Sequence, residues 1–340
     1  MSQIRRIIVP GVDQIQILTE DQAPVRAGEV RVRSTIVGVC GSDTHALHGR
    51  HPLIPMPYFP GHEATGIVTE LGEGVDTVSL GDRVTVEPTL PCWECKQCRG
   101  GQENLCENLQ FFGCGFEQGG MAEEFVVRAD RLHAVPEELD DLTAALIEPL
   151  STPVHAGRIC GPLDGKAIVI MGAGTIGLLM LAVARYHGAK RIVVTDPLPA
   201  KREIALQRGA DAVVDATVPD VVEQVRSALG ESADVVFDCV AIQSTLNAAI
   251  ALAVKGGTVG IVGVPSADVT IPTIVLQDNQ VRIQGCATYV PQDYAESIEI
   301  LRSGAVRGAD FVTAQFSLDQ VREAFDASSS GREIKVVVRP

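Results

Sequence analysis

Two patterns of apolar residues follow one another along the chain and predict two kinds of sheet. Up to about residue 135, short β-branched runs are broken by Gly and Pro and alternate with polar residues, as in half-buried, mostly antiparallel strands. From residue 166, six short runs are almost continuously apolar, as in strands buried on both faces. The predicted strands are 29–40, 64–71, 82–88 and 122–128 in the first part, and 167–171, 191–195, 211–215, 234–238, 258–262 and 281–285 in the second.

Helical segments separate the six apolar runs. Two of them, at 175–188 and 199–209, end in Gly, which helix C-termini favour. Strands and helices in alternation specify a doubly wound parallel sheet, so the fold class is α/β. After about residue 287 the pattern is mixed again, and it ends in the run EIKVVVRP (333–340), a strand that we expect to rejoin the first part of the chain.

Composition and charge narrow the class of protein. The chain has 340 residues, of which 46% are hydrophobic and 21% charged, enough for about two domains. Its net charge of -15 repels phosphate backbones and anionic lipids, so we expect no nucleic-acid or membrane partner. We find no membrane-span pattern or signal peptide and expect a cytoplasmic protein. Nine cysteines in such a chain favour reduced thiols and metal ligands.

A glycine-rich turn follows the first apolar strand and predicts a dinucleotide site. Gly172, Gly174 and Gly177 have the spacing G-x-G-x-x-G, and the pyrophosphate would lie at the N-terminus of the next helix. Asp196 ends the next strand 19 residues after Gly177, where its carboxylate binds ribose hydroxyls and opposes a 2′-phosphate, which favours NAD over NADP. The alternative is a glycine turn in another α/β fold with Asp196 as a helix cap. The predicted cofactor-binding residues are Gly172, Gly174, Thr175, Ile176, Gly177 and Asp196.

Four cysteines in one short loop predict a structural metal site. Their spacing is Cys-x2-Cys-x2-Cys-x7-Cys, and four thiolates close a tetrahedron around zinc without leaving a position for substrate. Four unrelated buried thiols are the alternative, but the intervening residues are too polar for a core strand. The predicted ligands are Cys92, Cys95, Cys98 and Cys106.

A second candidate metal site combines two separate loops. One loop carries Cys40 in the sequence CGSDTH, and the other carries His62 in GHEATG. A thiolate and an imidazole suit an open zinc site, although either residue alone is more often structural.

Together with the Glu148-Pro149-Leu150 segment, these motifs are similar to those of the zinc-dependent medium-chain dehydrogenase/reductase (alcohol dehydrogenase) family. Within it the chain most resembles the polyol (sorbitol) dehydrogenase branch, and the resemblance covers essentially all 340 residues. It implies a GroES-like, mostly β catalytic domain with an inserted Rossmann NAD-binding domain, joined at a cleft that holds a catalytic zinc. The implied domains are 1–151 with 288–340, and 152–287.

The resemblance also assigns the residues of the catalytic site. Cys40 and His62 are implied zinc ligands, with Glu63 or Glu148 completing the set and the choice between them open. If both glutamates bound with Cys40, the ligands would carry one negative charge more than zinc neutralises, so we expect one at a time. Asp43 is implied to orient His62. The alternative is that Asp43 only forms a turn at the surface.

The implied reaction transfers hydride from a secondary alcohol to NAD and gives a ketone. Ser42 matches the first hydroxyl of a proton relay and His45 its outer base, whereas a helix-capping serine and a surface histidine are the alternatives. The implied cofactors are NAD and two zinc ions per chain, one catalytic and one structural.

The substrate and the assembly are less defined. A small-molecule polyol or cyclitol is expected, with L-threonine or a simple secondary alcohol as alternatives and a silent NAD- and zinc-binding structural protein as the non-enzyme alternative. The resemblance implies a homotetramer or homodimer, with contacts near 258–262 and 268–284. Four other cysteines and three other histidines are expected to pack or to be solvated, without a functional role: Cys114, Cys160, Cys239, Cys286, His48, His51 and His155.

Overall fold

The computed structural model describes residues 3–340 and divides the chain into two compact units. The first comprises the chain up to Glu148 together with Val290–Pro340, and the second is Pro149–Tyr289. The first is mainly β and the second alternates strands with helices, which confirms the α/β class predicted from the two apolar patterns.

The strands follow the predicted runs closely and add several that the pattern did not indicate. They are β1 (Gln3–Gly11), β2 (Gln14–Asp21), β3 (Glu29–Val39), β4 (Glu63–Leu71), β5 (Arg83–Val86), β6 (Thr89–Leu90), β7 (Gln110–Phe111), β8 (Glu124–Arg128), β9 (Leu132–Ala134), β10 (Ala167–Met171), β11 (Arg191–Asp196), β12 (Ala212–Asp215), β13 (Ala233–Asp238), β14 (Ala253–Ile261), β15 (Arg282–Gly285), β16 (Val312–Ser317) and β17 (Lys335–Arg339).

The helices lie mostly in the second unit and near the C-terminus. They are α1 (Gly41–Leu47), α2 (Lys96–Arg99), α3 (Asp141–Ala144), α4 (Ile147–Cys160), α5 (Thr175–Tyr186), α6 (Pro199–Gln207), α7 (Val221–Leu229), α8 (Gln243–Leu252), α9 (Thr273–Asn279), α10 (Pro291–Arg302), α11 (Gly308–Phe311) and α12 (Val321–Ser329). None of the helices within the described residues combines the length and the apolar character needed to cross a bilayer.

Strand β3 organises the sheet of the first unit. It pairs antiparallel with β4, β8 and β17, and its valines at 30, 32 and 37 are fully buried in the core. The C-terminal strand β17 rejoins this unit as predicted, with Val336 paired to Val39. This pairing brings Lys335 beside the end of β3, immediately before Cys40.

The hairpin of β1 and β2 is an addition to the predicted strands. The two strands pair antiparallel, and Asp13 in the turn has a φ of 59°. No residue of β2 is fully buried. Because the alternation of apolar and polar residues reflects burial on one face, an exposed strand of this kind gives a weak sequence signal.

The second unit is a six-stranded parallel sheet in the order β12-β11-β10-β13-β14-β15. All five residues of β10 are buried, as expected of a central strand with helices on both faces. The six predicted apolar runs all correspond to strands. Within the run at 258–262, residues 258–261 of β14 pair with residues 282–285 of β15. Strand β15 is an edge strand of the sheet.

Candidate functional site

Cys40 stands at the junction of a strand and a helix in the first unit. It follows β3 directly and is the N-cap residue of α1, with extended backbone angles. Its backbone N–H donates to Asp43 Oδ2 at 3.1 Å, which satisfies one of the free amides at the start of the helix. This hydrogen bond fixes the turn from which the Cys40 thiol projects.

Two glycines make room for His62 and Glu63. Gly61 has a φ of 105° and lies so close to the backbone of Met121 that a Cβ on it would be 2.4 Å from the Met121 amide nitrogen. Gly38 is paired with Glu63 across β3 and β4, and a Cβ on it would be 1.7 Å from Glu63 Oε2. The Glu63 carboxylate therefore occupies space over β3 that any other residue at position 38 would fill.

The structure brings three of the predicted zinc ligands together. One ligand atom each from Cys40, His62 and Glu63 lies within 4.8 Å of the other two, and both His62 and Glu63 are buried. A thiolate, an imidazole and a carboxylate suit zinc, and a set of three leaves a fourth position for substrate. These residues therefore fit a catalytic zinc.

Glu148, the fourth predicted ligand, lies outside this group of three. It is buried in the first turn of α4. Its carboxylate is near enough to raise the pKa of Lys335.

Lys335 is a buried cation that the sequence analysis missed. Its ammonium contacts Glu63 Oε2 and donates to the Val39 carbonyl at 3.2 Å. Burial alone would lower the pKa of Lys335, but the negative groups of Glu63, Cys40 and Glu148 raise it. The site thus contains a fixed positive charge. A lysine within the apolar run IKVVV was the signal that could have revealed it.

Asp43 lies near the Nδ1 edge of His62. Its side chain is fully buried, and its Oδ1 is 3.7 Å from His62 Nδ1. That oxygen has no hydrogen-bond partner within the described part of the chain, whereas Oδ2 accepts from Cys40. Burial raises the pKa of Asp43, and the neighbouring His62 opposes this rise.

Cys114 was expected to pack rather than to bind metal, and the structure places it against His62. Its Sγ is 3.2 Å from His62 Nδ1, and it forms a second group of possible ligands with Asp43 and His62. Burial raises the pKa of the Cys114 thiol to about 11. No sequence motif marks Cys114, because the loop that carries it reaches His62 only in the folded chain.

Ser42 and His45 lie three residues apart on the face of α1 that is not buried. Ser42 is half-buried and His45 is exposed, whereas Asp43, Thr44 and Ala46 are buried. Residues at this spacing are neighbours on a helix surface. The two side chains are therefore neighbours on the helix surface, and the more exposed of them is His45.

The four cysteines predicted to bind a structural zinc converge. The sulfurs of Cys95 and Cys98 are 3.5 Å apart, those of Cys92 and Cys106 are 3.4 Å apart, and all four lie within 4.8 Å of one another. Backbone N–H groups of Glu94 and Cys95 lower the pKa of Cys92 to about 6, which favours the thiolate that zinc requires. The loop therefore fits a closed tetrahedral zinc site.

The predicted dinucleotide residues occupy the turn between β10 and α5 in the second unit. Gly172 has a φ of 93°, and a Cβ on Gly177 would be 1.8 Å from the Gly172 carbonyl oxygen. Gly174, by contrast, faces open space and caps the helix that begins with Thr175 and Ile176. The turn thus leaves an open approach for a pyrophosphate at the N-terminus of α5.

Asp196 fixes the glycine turn. Its Oδ2 accepts from the Ala173 amide and its Oδ1 from the Leu198 amide, both at 2.8 Å. Arg202, a nearby cation, donates to the Asp196 and Pro197 carbonyls and pairs with Asp215 at 3.0 Å. The carboxylate is held at the end of β11, and the guanidinium beside it is already engaged.

Both units match known families of domains. Residues 26–137 match the alcohol dehydrogenase GroES-like domain, and residues 175–303 match the zinc-binding dehydrogenase domain. The chain is 35% identical to a sorbitol dehydrogenase from Arabidopsis thaliana, over 96% of this chain and 93% of the relative. It is 34% identical to an L-idonate 5-dehydrogenase from Vitis vinifera, over 91% of this chain and 87% of the relative.

A solved structure shows the same fold over the whole chain. It is a putative zinc-binding dehydrogenase from Sinorhizobium meliloti 1021 bound to NADP, with a TM-score of 0.92, 30% identity and complete coverage of both chains. The GroES-like and Rossmann domains inferred from the motifs are confirmed by these matches. The chain therefore belongs to the zinc-dependent medium-chain dehydrogenase/reductase (alcohol dehydrogenase) family and is an oxidoreductase of its polyol dehydrogenase-like branch.

Proposed function

We propose that this chain oxidises a secondary alcohol group of a polyol or cyclitol to a ketone, with NAD as the hydride acceptor. The observation that carries the proposal is the group of Cys40 and the buried His62 and Glu63, whose three ligand atoms leave a position for an alcohol oxygen. The similarity to a sorbitol and an L-idonate dehydrogenase supports a substrate with several hydroxyl groups.

Cys40, His62 and Glu63 would hold the catalytic zinc, and Glu148 would act beside them. Glu63 lies within the group of three ligand atoms, whereas Glu148 lies outside it and interacts with Lys335. When bound, zinc supplies Lewis-acid polarisation of the alcohol oxygen and makes its proton more acidic. We assign Glu63 as the direct ligand and Glu148 as a carboxylate that acts through water.

Lys335 changes the balance of charge at this site. Three anionic side chains, Cys40, Glu63 and Glu148, exceed the charge of one zinc ion by one unit, and the ammonium of Lys335 supplies that unit. Zinc and Lys335 together would therefore balance the charge of these three side chains. The expectation from the sequence that only one glutamate binds zinc at a time was made without this buried cation.

Ser42 and His45 would carry the proton that leaves the alcohol. The Ser42 hydroxyl accepts this proton and gives its own to His45, which releases a proton to water because it is exposed. When bound, NAD would take the hydride of the alcohol carbon, so the products would be a ketone, NADH and one proton. Each step conserves protons and electrons.

Asp196 supports NAD as the preferred cofactor. Its carboxylate is fixed by two backbone amides and would repel a 2′-phosphate, and Arg202 is engaged by carbonyls and Asp215. Asp196→Ala should weaken the binding of NAD. It should also raise kcat/KM for NADP relative to kcat/KM for NAD. A wild-type enzyme that uses NADP at least as well as NAD would contradict this assignment.

The edge of the parallel sheet supports assembly with a second copy of the chain. Strand β15 leaves one edge unpaired within the described residues, and Ile274 in the preceding helix α9 is 77% exposed. We propose a homodimer or homotetramer that uses this edge. Light scattering at micromolar concentration should give a mass of two or four chains, and a mass of 36.1 kDa would refute the assembly.

The reaction is tested by following NADH formation with a panel of alcohols. Polyols and cyclitols should give faster turnover than L-threonine or simple secondary alcohols, because buried polar groups reject substrates that lack matching hydroxyls. Metal analysis of the same preparation should give two zinc ions per chain, one for each ligand group. Absence of turnover with every alcohol in the panel would refute the proposal.

A further inference from the structure

The loop that carries Cys114 is built against His62. Gly113, at φ 78°, lies so close that a Cβ on it would be 2.5 Å from the His62 amide nitrogen. The Cys114 amide donates to the Phe111 carbonyl at 3.1 Å, and the Phe111 ring meets the His62 ring edge-on at 5.8 Å. The backbone thus holds the Cys114 sulfur in place, 3.2 Å from His62 Nδ1.

The same nitrogen has a second potential acceptor. Asp43 Oδ1 is 3.7 Å from His62 Nδ1, is fully buried and has no hydrogen-bond partner among residues 3–340. Asp43 Oδ2 is already engaged by the Cys40 amide. The Nδ1 edge of the ring is therefore enclosed by a sulfur on one element and a carboxylate on another.

We propose that Cys114 is a positioning residue for His62: its sulfur and Asp43 together hold the Nδ1 edge of the ring and leave Nε2 free to bind metal. The proposal rests on the proposed function, because it concerns the metal held by Cys40, His62 and Glu63. A neutral imidazole has one N–H, so an acceptor at Nδ1 selects the tautomer whose lone pair is on Nε2. Such outer partners of a ligand histidine typically contribute about 10- to 100-fold in metal affinity.

The test measures zinc affinity without substrate. Reduced, metal-free protein is titrated with zinc against a chromophoric chelator, for the wild type and for Cys114→Ala, Cys114→Ser and Cys40→Ser. Cys239→Ala is the matched control, because it removes a thiol from the second unit. Thermal unfolding of each metal-free variant shows whether it is folded.

We expect two classes of zinc site in the wild type, one of which is lost in Cys40→Ser. Cys114→Ala should weaken that class alone, by about 10- to 100-fold. Cys114→Ser should lose less affinity, because its hydroxyl can also accept from Nδ1, and Cys239→Ala should lose none. Binding of NAD should be unchanged in every Cys114 variant.

Cobalt substitution separates positioning from direct ligation. The thiolate-to-cobalt charge-transfer absorption should have the same intensity in wild type and Cys114→Ala, and a loss of intensity would show that Cys114 is itself a ligand and overturn the proposal. An unchanged or tighter zinc affinity in folded Cys114→Ala would overturn it as well. A wild type with a single class of zinc site would instead overturn the proposed function.

Discussion

We predict that the buried Lys335–Glu63 pair couples the stability of the first unit to the binding of zinc at the proposed site. Lys335→Met preserves most of the apolar stem but removes the ammonium, and Glu63 then lies as a buried carboxylate without its cation. Gly38 is so close to this carboxylate that it has little space to move. Removal of one member of a buried ion pair typically costs about 3–5 kcal/mol. We therefore expect Lys335→Met to lower the free energy of unfolding of the metal-free protein by this amount.

Zinc should restore part of this loss. With a metal at Cys40, His62 and Glu63, the carboxylate regains a cation, so the cost of Lys335→Met should fall by about 2 kcal/mol. In a thermodynamic cycle, that difference equals a gain in zinc affinity of about 30-fold for the variant. The variant should therefore bind zinc more tightly than the wild type although it is less stable without zinc.

Urea unfolding measures the cost of Lys335→Met in free energy of unfolding, once for the metal-free and once for the zinc-loaded protein. Lys335→Arg should remain near the wild type, because it keeps the charge. Lys190→Met is the surface control: its pair with Glu231 is exposed, and we expect a change of less than about 1 kcal/mol. Equal costs of Lys335→Met with and without zinc, or a cost as small as that of Lys190→Met, would refute the reasoning.

Three further predictions concern the glycine turn, the proton path and the cysteine loop. Gly177→Ala should lower the melting temperature and abolish NAD binding, whereas Gly174→Ala should weaken NAD binding with the melting temperature unchanged; calorimetry checks both. Ser42→Ala should lower kcat steeply, and His45→Ala about 100-fold with partial rescue by buffer base, both without a change in NAD affinity. Cys92→Ser should lose one zinc ion per chain and become less stable. A variant that keeps all its zinc and is as stable as the wild type would contradict the assignment of a closed zinc site.

The sequence was most informative where structure is local. The six apolar runs of the parallel sheet, the glycine turn and the four-cysteine loop each depend on residues close together in the chain, so their spacing carries the signal. Strand β2 was missed because none of its residues is fully buried, and such a strand gives a weak sequence signal.

The two unexpected residues of the site, Lys335 and Cys114, depend on contacts between distant segments. Lys335 reaches Glu63 only because β17 pairs with β3 and β3 pairs with β4. Cys114 reaches His62 because Gly113 permits two backbones to approach. Neither residue belongs to a short motif, so their roles follow from tertiary structure.

The most direct test of the central claim is NADH formation from a polyol by Cys40→Ser beside the wild type. We predict steady turnover in the wild type and none in Cys40→Ser, which should still bind NAD and keep one zinc ion per chain in the loop of four cysteines. Turnover at the wild-type rate in a Cys40→Ser protein that holds only this zinc would contradict the account.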